Sequence, residues 1–180
     1  MKNSIVLVAL LCSLYTQAQV TKVSLQASGL TCSMCSNAIN KSLKSLDFVQ
    51  EVNANIKTST FEISFKPGAV VDFDKLKKKV EDAGFFVANF AAVIHFDKVQ
   101  IVNDSHTLVD GNTYHFLNVK DQVLDGDKTI HLLDKGFVTA KIYKSNSRLT
   151  TMECYKTGVA AACCEKFEVK PGTRIYHATI

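Results

Sequence analysis

The sequence lacks the features that mark three common classes of protein. Its 21 lysines and arginines nearly balance 17 aspartates and glutamates, and the net charge of +4 is spread along the chain. Such a mild excess does not favour a nucleic-acid partner. The sequence has no Ser/His/Asp set, phosphate loop or paired-carboxylate motif, so we expect a protein that is not an enzyme. Beyond its first residues, it also has no apolar run long enough to span a membrane.

The N-terminus has the pattern of a cleavable signal peptide. Lys2 gives it a positive charge, residues 5–14 are almost wholly apolar, and Thr16-Gln17-Ala18 places small residues where a signal peptidase cuts. The apolar run is shorter than the roughly 20 residues that cross a bilayer. We therefore expect residues 1–18 to be removed by cleavage before Gln19. The mature protein is then periplasmic or secreted, without a membrane span.

A Cys-x-x-Cys pair, Cys32 and Cys35, closes the heptapeptide Gly-Leu-Thr-Cys-Ser-Met-Cys at residues 29–35. The pair lies between an alternating apolar stretch and a helical one. Two thiols at the end of a strand-to-helix loop can bind one soft metal ion, and the helix N-terminus favours the thiolate form. By itself, however, such a pair is ambiguous between metal binding, redox chemistry and a structural disulfide.

Hydrophobic periodicity around the pair predicts the order strand, helix, strand, strand, helix, strand. The predicted strands cover residues 23–27, 52–56, 61–65 and 85–93, and the predicted helices cover residues 34–46 and 73–83. Asp72 or Asp74 can cap the second helix, and Gly84 can end it. This order is that of a ferredoxin-like βαββαβ sandwich, an α+β fold in which two helices cover one face of four antiparallel strands.

Residues 20–93 resemble the heavy-metal-associated domain family of copper chaperones, metal-ATPase N-terminal modules and periplasmic mercury-binding proteins. Residues 29–35 match the family motif Gly-Met-Thr-Cys-x-x-Cys, with Leu30 in place of Met, and residues 83–85 match its Ala-Gly-aromatic signature. The resemblance implies that Cys32 and Cys35 are the metal ligands and that Phe85 packs near their loop. In the family, the residue at the position of Leu30 anchors the loop in the core, so leucine is a volume-conserving replacement. We assign residues 19–94 to this domain.

The chemistry of the pair favours a soft ion. Two thiolates suit Cu(I), which accepts low coordination, and they also suit Hg(II), whereas Zn(II) normally takes four ligands. Met34, inside the motif, offers a thioether, although packing on the helix face is the simpler expectation. We therefore expect an exported protein that sequesters Cu(I), or exchanges it with a metal-donating or metal-accepting protein.

Two other functions stay open. The first is a thiol–disulfide protein acting on the cysteines of exported metalloproteins, because exported compartments favour oxidation. Against it, the pair has no proline between its cysteines and the element order is not that of thioredoxin. The second is that the first domain docks onto a similar domain of a partner while the second half carries the activity.

Residues 95–180 are expected to form a second, β-rich domain of unknown role. Short apolar runs alternate with turn signals such as Asp110-Gly111 and Pro171-Gly172, and residues 95–98 are the expected junction. The predicted strands cover residues 99–102, 113–119, 129–133, 137–143 and 174–180. Several short strands at this spacing suggest a small all-β barrel, for which an OB-like barrel is our hypothesis.

The residues of this half that could carry chemistry are Cys154, Cys163 and Cys164 and the histidines His106, His115, His131 and His177. Small residues at positions 160–162 let the chain fold back and bring Cys154 near the adjacent pair. The three cysteines can then form one disulfide with a thiol left over, or a second soft-metal site, or they are inert thiols. The histidines, including His106 and His115, are most simply explained as satisfied core or surface residues.

Overall fold

The first half of the chain forms the predicted sandwich. The computed structural model describes residues 20–30 and 32–180, so the expected signal peptide and its cleavage before Gln19 lie outside the described residues. The elements of this half are β1 (Val20–Ser28), α1 (Ser33–Lys44), β2 (Val49–Asn55), β3 (Thr60–Phe65), α2 (Phe73–Asp82) and β4 (Phe86–Ile101). The strands lie in the order β2-β3-β1-β4, and each neighbouring pair is antiparallel. The ferredoxin-like order is therefore confirmed.

Both helices begin where a side chain can accept a backbone hydrogen bond. Asp72 accepts from the backbone N–H of Lys75 at 3.0 Å, which satisfies one of the unpaired donors at the start of α2. Gly84 follows α2 with φ +88°, a conformation that glycine adopts without strain. The buried faces that dock onto the sheet are Ile39 and Leu43 of α1 and Phe73, Leu76 and Val80 of α2.

The second half continues the same sheet. Its elements are β5 (Ser105–Val109), β6 (Asn112–Phe116), β7 (Gln122–Leu132), α3 (Ala140–Asn146), α4 (Cys154–Thr157), a 3₁₀ helix (Ala162–Phe167) and β8 (Ile175–Thr179). The full strand order is β2-β3-β1-β4-β7-β8-β6-β5. In the described residues, none of the helices is long and apolar enough to cross a membrane.

A separate all-β, OB-like barrel is therefore not confirmed. The physical reason is the length of β4, whose 16 residues pair with β1 on one edge and with β7 on the other. The expected junction at residues 95–98 lies within this strand, at a register shift between Phe96 and Val99. The strand predicted at residues 137–143 is also wrong, because Phe137 is a buried loop residue and α3 begins at Ala140.

The two faces of the second half of the sheet are both covered. Tyr114, Phe116 and Tyr176 join the apolar core that extends from the first half, where Phe73 packs edge-on against Tyr176 at 5.2 Å between ring centroids. On the opposite face, His115 and His177 are fully buried beneath the segment that contains α4 and the 3₁₀ helix. This alternation follows from the two-residue period of a strand.

A charged network joins the two halves beside the core. The guanidinium of Arg174, just before β8, donates from Nε to Asp74 at 2.8 Å and from Nη1 to Asp134 at 3.1 Å. Asp134 is buried, and its other oxygen accepts the backbone N–H of His177 at 2.7 Å. The network thus connects α2 to the end of β7 and to β8, which are far apart in the sequence.

We predict that Asp74→Asn lowers the free energy of unfolding at neutral pH by about 1–2 kcal/mol, since it removes a charge-assisted partner of a partly buried arginine. Burial raises the pKa of Asp74, but the hydrogen bonds and charges of Arg174 and Lys77 outweigh it and lower the pKa below its ordinary value. Asp74 therefore stabilises the fold above about pH 4, and its contribution is lost as the pH falls through the lowered pKa.

The measurement is denaturant unfolding of both proteins between neutral pH and acid, where the difference in stability should shrink. Asp82→Asn is the matched control, because Asp82 only forms an exposed ion pair with Lys78 at the other end of α2. Such pairs contribute little. Equal destabilisation by both substitutions would show that the network with Arg174 has no special role.

Candidate metal centre

Cys32 and Cys35 lie where the loop after β1 enters α1. Cys32 is the N-cap residue, and its sulfur accepts the backbone N–H of Cys35 at 3.3 Å. The two sulfur atoms lie 2.7 Å apart. Cys32 is exposed and Cys35 is half-buried, so a reagent or a partner can reach the pair from solvent.

The loop before the pair rests on the core. Gly29 has φ +85°, and a β-carbon there would lie 3.9 Å from Cδ1 of Phe85. Leu30 and Phe85 are partly buried and pack against the main apolar core. Phe85 thus lies beside the loop that carries the cysteines, as the family resemblance implied, and Leu30 packs against the core as expected.

The environment of Cys32 favours its thiolate. The thiol and the backbone N–H of Cys35, together with the backbone of Met34, donate to Cys32 and lower its pKa from the ordinary value for cysteine. The N-terminus of α1 adds a favourable field for negative charge. A lowered pKa increases the fraction of the form that binds a metal or attacks a disulfide.

The pair offers two donors. Within the described residues, no third His, Cys, Asp or Glu donor lies close enough to form a ligand set with it. Met34 was expected to pack on the helix face, and this expectation is wrong. Its side chain is 81% exposed, because the buried face of α1 begins at Ser36. Among the described residues, the pair therefore offers two sulfur donors on an accessible surface.

Cys154, Cys163 and Cys164 converge as a second cluster. Their sulfur atoms all lie within 4.8 Å of one another, and the structure shows them as free thiols. Cys154 and Cys164 are fully buried, whereas Cys163 is half-buried. The predicted fold-back of the chain is thus present, and it is made by α4 and the 3₁₀ helix rather than by strands.

Two of the candidate histidines belong to this cluster, a placement that the sequence did not predict. Nε2 of His106 lies 3.7 Å from the sulfur of Cys154 and 3.5 Å from that of Cys164, and Nδ1 of His115 lies 3.8 Å from Cys154. His106 and His115 are directly opposite each other on β5 and β6. The pairing of these two strands was the missing signal, because β5 itself was not predicted.

Burial controls the protonation of this second cluster. It lowers the pKa of His106 and of His115 to about 4, so both imidazoles are neutral at neutral pH, the form that binds metals. Burial likewise raises the pKa of Cys154 and of Cys164. Cys163 differs: burial raises its pKa, but hydrogen bonds from the backbone and thiol of Cys154 and from Cys164 outweigh it and lower the pKa.

Comparison with known proteins identifies the first half. Residues 24–86 match the sequence model of the heavy-metal-associated domain. The similarity to this family concerns these residues. Its heavy-metal-associated domain is 34% identical over 71 residues to a probable copper-exporting P-type ATPase of Archaeoglobus fulgidus. It is 38% identical over 71 residues to the copper-exporting P-type ATPase of Staphylococcus saprophyticus.

These similarities concern the domain and not whole proteins. Each ATPase match covers 39% of this chain and 9% of the ATPase, so the chain spans only a small part of those relatives. Among solved structures, the yeast copper transporter domain Ccc2a, studied in apo and Cu(I)-loaded states, is 31% identical. That match covers 37% of this chain and 90% of the yeast domain, with a TM-score of 0.34.

The exposure of the cysteines predicts their order of alkylation. In folded, reduced protein, iodoacetamide should modify Cys32 first, since its sulfur is exposed and its pKa is lowered. Cys154 and Cys164 should react only when the protein is unfolded, because both are buried. Peptide mass spectrometry over a time course measures each rate. Labelling of Cys154 as fast as Cys32 in folded protein would contradict this placement.

Proposed function

We propose that this protein binds Cu(I) through Cys32 and Cys35 and sequesters the ion or passes it to another protein, without catalytic turnover. The observation that carries the proposal is an accessible pair of cysteines at a helix N-terminus, with no third donor in the described surroundings. Soft thiolates at low coordination suit Cu(I). The copper-exporting relatives of the domain agree with this choice of ion.

An open site favours exchange of the ion over permanent retention. Cys32 is exposed to solvent, so the thiolates of a partner have room to bind the ion before Cys32 and Cys35 release it. A closed four-ligand site has no such approach. A second molecule with its own exposed thiol pair is therefore the kind of partner that we propose. Hg(II) also suits two thiolates, and the donor set alone does not rank it below Cu(I).

A redox role is the second candidate, because the same sulfur contact and lowered pKa of Cys32 also suit disulfide exchange. In that reaction, the Cys32 thiolate attacks a disulfide of a partner. Cys35 then displaces the partner's thiol, so that the pair is oxidised and the partner's disulfide is reduced. Reduction of a model protein disulfide by the dithiol form, faster than by a single-cysteine variant, would favour this role.

Cu(I) titration against a competing chelator tests the copper proposal. We expect Cys32→Ser, Cys35→Ser and the double variant to lose about one equivalent of tightly bound Cu(I). Replacing an outer-shell partner of a metal site costs roughly 10–100-fold in affinity, so losing one of two ligands should cost more. Ser33→Ala, an exposed change between the two cysteines, is the matched control and should bind as the unaltered protein does. Unchanged Cu(I) binding in the double variant would overturn the proposal.

We also propose that the protein is exported, as residues 2–18 of the sequence suggest. The expected mature N-terminus is Gln19, which N-terminal mass spectrometry of the exported fraction can identify even if the glutamine has cyclised. An exported protein that keeps Met1 would contradict cleavage. An exclusively intracellular protein would contradict export itself.

A further inference from the structure

Three histidines form a row on one face of the sheet. His106 on β5 is opposite His115 on β6, which is opposite His177 on β8. The ring centroids lie 4.4 Å apart for the first pair and 5.1 Å apart for the second. Since strand partners on one face point the same way, the pairing of β5, β6 and β8 brings together residues that are up to 71 positions apart in the sequence.

The cysteines belong to the segment that covers this face of the sheet. Cys154 begins α4, and Cys163 and Cys164 lie in the 3₁₀ helix. The segment that contains these two helices, residues 154–167, is called the covering segment here, and it places the sulfurs of Cys154 and Cys164 against the imidazoles. Cys154 is common to two triads whose donor atoms lie within 4.8 Å of one another, one with His106 and His115, the other with Cys163 and Cys164. The 3.5 Å contact between Nε2 of His106 and Cys164 connects the triads.

We propose that Cys154, Cys164 and His106 bind one soft d¹⁰ cation, Cu(I) or Zn(II), with His115 or Cys163 as a fourth ligand. The distances fit a common centre. A tetrahedral ion with bonds of about 2.3 Å to sulfur and about 2.0 Å to nitrogen holds its nitrogen and sulfur ligands about 3.5 Å apart. The three nitrogen–sulfur distances here are 3.5, 3.7 and 3.8 Å.

His115, one of the two candidates for the fourth ligand, has the second shell that metal-bound histidines use. Nε2 of His115 lies 2.9 Å from Oδ1 of Asp104, so the ring can donate there and leave Nδ1 as an acceptor facing Cys154. A carboxylate behind a ligating histidine fixes both the tautomer and the ring orientation. His177 is held in the same way by Asp134, at 3.0 Å from its Nδ1.

The cluster also contains polar atoms that a merely apolar core would not bury. Within the described residues, Nδ1 of His106 and Nε2 of His177 are buried and have no hydrogen-bond partner. Buried polar atoms are nearly always hydrogen-bonded, so each exception needs an explanation. An ion bound by Nε2 of His106 does not touch these two atoms. What a metal centre explains, and inert thiols do not, is that Nε2 of His106 and Nδ1 of His115 face the sulfurs of Cys154 and Cys164.

This second site differs from the Cys32–Cys35 pair in what it can do. Its central sulfurs are fully buried, and its ligands come from a strand, a helix and a 3₁₀ helix. Binding an ion there would crosslink β5 to the covering segment. We infer that the ion is retained and holds this segment on the sheet, and the inference does not depend on copper binding by Cys32 and Cys35.

The test uses the full chain with Cys32→Ser and Cys35→Ser, so that the first pair cannot contribute. Reduced protein is incubated without oxygen with Zn(II) or Cu(I), desalted and analysed for metal. We expect about one equivalent of at least one of the two ions, and X-ray absorption at its edge should show both nitrogen and sulfur ligands. Adding Cys154→Ser and Cys164→Ser should reduce the bound metal to near zero.

Two further measurements separate loss of ligands from loss of fold. His106→Gln should weaken retention by more than about 100-fold, whereas the matched control His95→Gln, on the exposed part of β4, should leave it unchanged. In the protein with all three cysteines intact, bound metal should protect Cys154 and Cys164 from alkylation under mild denaturant and raise the melting temperature. Circular dichroism of each variant confirms that it is folded.

Several results would overturn the proposal. One is a folded, fully reduced Cys32→Ser/Cys35→Ser protein that retains neither ion. Another is metal that stays bound after Cys154 and Cys164 are replaced, which would place it elsewhere. A disulfide between two of these cysteines in protein isolated under native conditions would also overturn it, because a disulfide sulfur is no longer a thiolate ligand.

Discussion

The hydrogen bonding of β4 on both of its edges is the constraint on which the rest of the structure depends. One edge pairs with β1 of the heavy-metal-associated domain, and the other pairs with β7. Without β7, residues such as Ala92 would present unpaired backbone groups along an exposed edge, which is a template for aggregation. The second half thus covers the edge that the ferredoxin-like order leaves open, and one sheet supports both candidate metal sites.

The two sites differ because the sheet buries them differently. The Cys32–Cys35 loop lies at the end of β1, where Leu30 and Phe85 pack against the core and the sulfurs remain accessible. The histidine row lies in the middle of the strands and is covered by α4 and the 3₁₀ helix. Exposure and two donors favour exchange of an ion, whereas enclosure and more donors favour its retention.

Most of the first half could be predicted from the sequence because its signals are local. The first three strands alternate, the fourth is an apolar run, each helix has an apolar stripe, and Asp72 and Gly84 mark the ends of α2. The motif at residues 29–35 then identified Cys32 and Cys35 as the candidate ligands. Met34 was misplaced because a spacing of four residues fits the apolar stripe, whereas the helix has only just begun there and its first turn faces solvent.

The second half could be predicted only in fragments, because its architecture depends on pairing between distant strands. The parallel contact of β6 with β8 joins residues about 60 positions apart, and no local pattern specifies it. α3 has no buried residue, so it shows no helical stripe. The proximity of Cys154 to Cys163 and Cys164 could be predicted from the small residues between them. In contrast, His106 and His115 are neighbours because of the register of β5 and β6, which no local pattern specifies.

Asp134 shows how the two halves and the enclosed cluster depend on one another. Its carboxylate is buried and accepts from Arg174, from the backbone of His177 and from Nδ1 of that histidine. A buried carboxylate needs such partners, because taking its charge out of water is costly. Arg174 supplies the compensating charge and reaches Asp74 on α2 at the same time. The position of β8, and with it one end of the histidine row, is therefore fixed from the heavy-metal-associated domain as well as from the covering segment. The strands after β4 thus continue the sheet of the heavy-metal-associated domain.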